Sequence, residues 1–213
     1  LEAAGCRYAQ VCELIPTDAE AWVSLGIMQR RLQEFAASEK SCRKALSLEV
    51  GHARGRQALG AALQQQGYLN EAIASYREAV RLDPELEEAW YFLANALRQA
   101  GQDAGASDAY RRLLDLNPDH FEGLDNVGIH LRVLGDADEA IRRLKHALEL
   151  KPDSVETMTN LGDACVARSR YEEALELLHR ATVLRPDFAN AFRALGNAQH
   201  HAGRLREALS SYD

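Results

Sequence analysis

The residues able to do chemistry are dispersed along this chain. Cys6, Cys12, Cys42 and Cys165 include no pair at metal-ligand spacing. Among seven histidines only His200 and His201 adjoin. Neighbours on a helix point in different directions and chelate one ion poorly. No HExxH, phosphate-cradling glycine loop or nucleophile elbow occurs, and no spacing assembles a Ser/His/Asp set. Neither metal, cofactor nor catalysis is therefore expected within these residues. Charge does recur: Glu20, Glu88, Glu122 and Glu156 lie at multiples of 34 residues, and so do Arg30, Arg98 and Arg132. Stripes of opposite charge suit the gripping of another polypeptide, provided that some scaffold sets them side by side.

The period itself supplies that scaffold. Pro16, Pro84, Pro118, Pro152 and Pro186 differ by whole multiples of 34, and Val50 occupies the one register position without proline. Other phases agree. Counted from Ala19, the fourth position reads Trp22, Arg56, Trp90, Leu124, Met158 and Phe192. The eighth is small throughout: Gly26, Gly60, Ala94, Gly128, Gly162 and Gly196. The twentieth is Ser38, Ala72, Ala106, Ala140, Ala174 and Ala208. The twenty-fourth is Cys42, Tyr76, Tyr110, Leu144, Leu178 and Tyr212.

Each phase implies a physical task. Apolar residues at positions 4, 7 and 11 form one face of a first helix, A. The small eighth and twentieth residues let A and a second helix, B, approach closely, and the bulky twenty-fourth is expected to fill space between repeats. Gly67, Gly101, Gly135 and Gly203 fall at position 15, where a left-handed residue ends helix A. Proline at position 32 ends helix B, and the acids that follow it, Asp119, Asp153 and Asp187, are expected to cap the next helix A. The fold expected is an all-α stack of antiparallel helix pairs.

Composition narrows the class. With 46% apolar and 27% charged residues the chain has enough core to fold. No run of eighteen apolar residues exists, so a membrane-spanning helix is not expected. A net charge of −7 disfavours a nucleic-acid binder that relies on a basic face. The opening Leu-Glu-Ala-Ala-Gly-Cys has no initiator Met and no signal-like region, so an excised fragment is expected. Unpaired cysteines at core phases imply reduced thiols and a cytoplasmic setting.

The pattern Trp-x-x-Leu-Gly, then small, aromatic, Ala and Pro at 34-residue spacing, resembles the tetratricopeptide repeat (TPR) family over nearly the whole chain. The resemblance implies a right-handed α-solenoid, with A helices lining a concave groove. It divides a single array, 1–213, into a helix B of a truncated unit (1–18), full units at 19–52, 53–86, 87–120, 121–154 and 155–188, and a truncated unit at 189–213. Ala4, Tyr8 and Val11 place the first helix in register, and both ends are expected to fall inside repeats. End-to-end self-association through those ends is then expected. By family resemblance, positions 2, 5, 6, 9, 12 and 13 face the groove. In unit 3 these are Glu88, Tyr91, Phe92, Asn95, Arg98 and Gln99. Unit 4 supplies Glu122, Asp125, Asn126, Ile129, Arg132 and Val133, and unit 5 supplies Glu156, Thr159, Asn160, Asp163, Val166 and Ala167. Six acids and six arginines occupy these positions over six units, so the groove is neutral and the surplus charge lies elsewhere.

Two groove chemistries known in the family are incomplete here. Chaperone adaptors grip a C-terminal carboxylate, and only Arg193 and Asn197 match the first half of that clamp. Protein O-linked N-acetylglucosamine transferases carry an asparagine ladder at position 6, of which Asn126 and Asn160 are two rungs. The resemblance implies a non-enzymatic scaffold that binds a peptide or helix of another protein, with Tyr91, Asn95, Arg98, Asn126 and Arg132 central. The alternatives are a substrate-recruiting portion of a larger enzyme, such as a glycosyltransferase of that kind, and a homotypic assembly module. Unit 2 departs most: Arg56, Val50, Gly51 and Gly55 imply a frayed helix start, or a hinge between units 1 and 2.

Overall fold

The computed structural model describes residues 2–212, so Asp213 and the Ala4 side chain lie outside the described residues. Thirteen α-helices and no strand occur among them. The A helices are α2 (Ala19–Arg31), α4 (Ala53–Gln65), α6 (Glu87–Gln99), α8 (Phe121–Val133), α10 (Val155–Ala167) and α12 (Ala189–His201). The B helices are α1 (Glu2–Leu14), α3 (Phe35–Leu48), α5 (Leu69–Leu82), α7 (Asp103–Leu116), α9 (Ala137–Leu150), α11 (Tyr171–Leu184) and α13 (Leu205–Tyr212). All-α architecture in consecutive helix pairs is what the periodicity implies. Tertiary contacts gather the pairs into two compact units, Leu1–Leu116 and Asn117–Asp213.

Helix A ends through a left-handed residue at position 15 in every repeat. Gly67, Gly101, Gly135 and Gly203 take φ of 70° to 88°, as the sequence implies. Gln33 (φ 64°) and Ser169 (φ 58°) adopt the same conformation without glycine's freedom. Helix B ends at position 30, two residues before the proline. The intervening residue is extended, as the residue before a proline prefers to be (Asp83 φ −136°, ψ 94°; Lys151 φ −131°, ψ 85°). Glu49, before Val50, is the same (φ −137°, ψ 96°), so the turn persists without the ring.

The caps require a correction. Asp119, Asp153 and Asp187 stand one residue too early. Helix A starts at position 1, and the N-cap is therefore the residue after the acid. His120 Nδ1 accepts from Gly123 N at 3.0 Å and Ser154 Oγ from Thr157 N at 3.3 Å, whereas Phe188 supplies no side-chain cap. Among the described A helices only α2 is capped by an acid, Asp18, which accepts from Ala21 N at 3.0 Å. The prolines acquire a second task instead. Their carbonyls accept from the position-4 indoles, Trp22 Nε1 to Pro16 at 3.0 Å and Trp90 Nε1 to Pro84 at 2.8 Å.

Packing inside a repeat centres on position 8. A Cβ built at Gly60 would stand 2.7 Å from Tyr76 Cε1, one at Gly26 2.6 Å from Cys42 Sγ, and one at Gly162 2.7 Å from Leu178 Cγ. The position-24 side chain therefore lies on the glycine of its own repeat and also meets the next one: the Tyr76 ring stacks on Phe92, and Leu144 shares a cluster with Leu161. Across repeats the core is continuous: Ile141, Leu144, Leu161, Leu175, Leu178 and Leu195 form one cluster in the second unit.

The unit-2 departures are absorbed locally. Helix α4 is as long as the other A helices and is capped by His52 Nδ1, which accepts from Gly55 N at 3.2 Å. No fraying is seen. Gly55 lies where a Cβ would meet Leu46 and Val23 at 3.3 Å, so glycine here permits close packing.

These positions generate stability predictions. Gly60→Ala drives a methyl into the Tyr76 ring and should lower stability by about 1–3 kcal/mol. Gln33→Gly should raise it by about 1 kcal/mol. Val50→Pro should raise it by about 0.5–1 kcal/mol, because the turn already has the proline-compatible form. Chemical denaturation of the three variants checks all three signs.

Candidate interaction faces

Adjacent A helices within a unit touch, α2 with α4 and α4 with α6 in the first, α8 with α10 and α10 with α12 in the second. Each unit thus presents a face of its own. Six of the twelve expected site residues stand on α6 (Glu88, Tyr91, Phe92, Asn95, Arg98, Gln99) and six on α8 and α10 (Glu122, Asp125, Asn126, Arg132, Asn160, Asp163).

On the first unit, helix B orders the face from beneath. Tyr76 passes under Gly60 and donates its hydroxyl to Gln64 Oε1 at 3.0 Å, and Gln64 Nε2 donates to Gln99 Oε1 at 2.9 Å. The Tyr76 ring stacks on Phe92 (5.8 Å, 11°), and Tyr91 meets Phe92 edge-on at 5.5 Å. Tyr110 donates to Asn95 Oδ1 at 2.7 Å, which fixes that amide. Burial pushes the phenols of both tyrosines up, and at Tyr110 a hydrogen bond from Arg98 works against the rise. Both hydroxyls stay protonated and available as donors.

On the second unit Asn160 Nδ2 donates to Asp125 at 3.2 Å. Burial raises the Asp125 carboxyl above its ordinary value of 3.8, Asn160 and Thr157 restrain the rise, and Glu156 and Glu122 add to it. Burial likewise raises Asp163, while Arg132 and Arg193 pull it back from either side. Arg132 Nε is buried without a hydrogen-bond partner. Of the two asparagine rungs, Asn160 is thereby engaged with its neighbour's carboxylate.

The acidic stripe is not an open margin at three of its four residues. Glu20 is bound by Arg54 (2.7 Å) and His52 (3.0 Å), Glu122 by Lys151 (3.1 Å) and Glu156 by Arg185 (2.6 Å). The Glu122 carboxyl sits below its ordinary value: burial works to raise it, but its own backbone amide and Lys151 outweigh that. Lys151 and Arg185 occupy position 31, just before the prolines, a place that groove positions alone do not reveal. Arg54, Gln64 and Tyr110 also serve these faces without standing among the twelve. Among the described residues no cluster of His, Cys, Asp or Glu could hold a metal ion, and no helix is long and apolar enough to cross a membrane.

Comparison with known proteins agrees with this geometry. A profile described as TPR repeat matches residues 60–97 and 162–203, and profiles described as tetratricopeptide repeat match 87–120 and 19–49. The chain belongs to the tetratricopeptide repeat family. Among solved TPR structures it is similar to YrrB, described as a TPR protein with an unusual peptide-binding site (TM-score 0.73, 24% identity, 88% of this chain and 96% of that one). It is similar also to MamA (0.70, 23%, 80% and 93%) and to PilF of Pseudomonas aeruginosa (0.79, 16%, 91% and 88%). Likeness at these identities speaks for the TPR fold. No curated protein sequence matches the chain significantly.

Asp125 yields a pH prediction. Its folded-state affinity for the proton exceeds that of the unfolded chain. Its contribution therefore favours folding below 3.8 and is lost as pH rises through the raised folded value. Asp125→Asn should be more stable than wild type at pH 7, and the gap should close on acidification through that window. Thermal melts from pH 3 to 7 read this directly.

Proposed function

We propose that the chain is a protein-interaction scaffold whose A-helix faces bind an extended or helical segment of a partner protein. The observation that carries this reading is the cross-linking of side chains between successive repeats on the face of each unit. Arg54 holds Glu20, Gln64 holds Gln99 and Asn160 holds Asp125, at sequence separations of 34 and 35. Polar groups held by neighbours across helices are positioned before a ligand arrives, which lowers the ordering cost of association. Tyr91 and Phe92 supply aromatic surface of the kind that dominates interface energies. Asn95 and Arg98 beside them, and Asn126, Arg132 and Asp163 on the second unit, supply directional polar contacts. The resemblance to a peptide-binding TPR protein supports this use of the fold. Four free cysteines, three of them buried, support a reducing compartment such as the cytoplasm.

Affinity capture with wild type and with the Tyr91→Ala/Arg98→Ala/Arg132→Glu variant tests the reading, with circular dichroism confirming that both fold. Partners present with wild type should drop at least tenfold with the variant. An identical set of captured proteins would remove these faces from the account.

A further inference from the structure

Charge on the first unit's A-helix face is sorted along the helix axes. Glu20 and Glu88 stand in the first turns of α2 and α6, and Glu20 is already held by Arg54 and His52. About 15 Å away, by the 1.5 Å rise per residue, the last turns carry Arg30, Arg31 and Arg98. Those of α2, α4 and α6 contain no carboxylate. Among the described residues none of these three arginines takes part in an ion pair. On α4, which touches both α2 and α6, Gln64 accepts from Tyr76 and donates to Gln99. Alongside lies the Tyr76–Phe92–Tyr91 aromatic group.

We infer that this rim binds an acidic segment of a partner protein that also carries apolar side chains. The carboxylates pair with Arg30, Arg31 and Arg98, and an apolar side chain packs on the aromatic group. The inference rests on the scaffold reading and adds the ligand's chemistry to it. Guanidinium forks match carboxylates bidentately, and desolvation against an aromatic floor strengthens such pairs. Arginines at helix C-termini also favour the helix dipole, but that role requires no partner and the test separates the two. Phosphates would meet the same arginines. A chain of net charge −7 repels a nucleic-acid polyanion, however, and three arginines neutralise few phosphates.

The test is fluorescence anisotropy of the whole chain with labelled twelve-residue peptide pools. One is built from Asp, Glu, Leu and Phe, a second has Asn and Gln replacing the acids, a third has Lys and Arg, and a twelve-nucleotide oligothymidine is the fourth probe. The acidic pool should bind at least tenfold tighter than the neutral pool and weaken with added salt. Arg30→Gln/Arg31→Gln/Arg98→Gln should erase that preference, and Arg81→Gln, at an exposed arginine of α5 paired within its own helix, should keep it. If the triple variant fails to fold, the salt dependence and Arg98→Gln alone carry the same comparison. Equal or better binding of the neutral or basic pool, or retention of the preference by the arginine variants, would overturn the inference and leave the scaffold reading standing. Preferential binding of the oligonucleotide would overturn it in favour of phosphate. Binding of no pool would remove both this inference and the first unit's face as a binding surface.

Discussion

The contact on which the rest depends is that between a glycine at position 8 of helix A and the side chain at position 24 of helix B. Gly26, Gly60, Gly128, Gly162 and Gly196 each receive the residue sixteen positions later so closely that a methyl group would collide. Where that residue is tyrosine, the ring crosses beneath helix A and its hydroxyl reaches the exposed face beyond. Tyr76 thereby fixes Gln64, and Tyr212 fixes Asn197 at 2.7 Å. One packing contact thus sets the distance between the helices and the orientation of polar groups that a ligand would meet.

A repeat protein buries its core by stacking, and the same stacking builds its surface. An exposed ion pair is ordinarily worth little by itself. Here Glu20–Arg54, Glu122–Lys151 and Glu156–Arg185 matter more for where they leave charge than for stability. They neutralise the first-turn carboxylates of α2, α8 and α10. Unbalanced cations then remain in the last turns of the first unit, and the second unit retains Asp125 and Asp163, two carboxylates burdened by burial. A face with charge so distributed discriminates by sign as well as by shape.

Much of this was legible in the sequence, for identifiable reasons. Proline and glycine have narrow or exceptional backbone demands, so five prolines in one phase and glycines at position 15 reveal turns without reference to tertiary context. The glycine at position 8 marked a close approach. What it could not disclose is which side chain covers it, because both position 20 and position 24 repeat. The capping error has a similar origin: Asp is a strong cap by type, and one residue of register moved that role to His120 and Ser154. Partners of Glu122 and Glu156 were hidden because Lys151 and Arg185 lie in a loop phase and reach the face only through the fold. At Gly55 local propensity implies a weak helix start, whereas the backbone there packs closely against Leu46 and Val23.

The central claim is that the A-helix faces are ordered by their own B helices before any ligand binds. Native-state amide hydrogen exchange of the free protein tests it most directly. The account predicts that amides in α4, α6 and α10 exchange with protection matching that of α5, α7 and α11, the B helices that clamp them, because each pair opens as one unit. Exchange of the A-helix amides orders of magnitude faster than that of their paired B helices would contradict it.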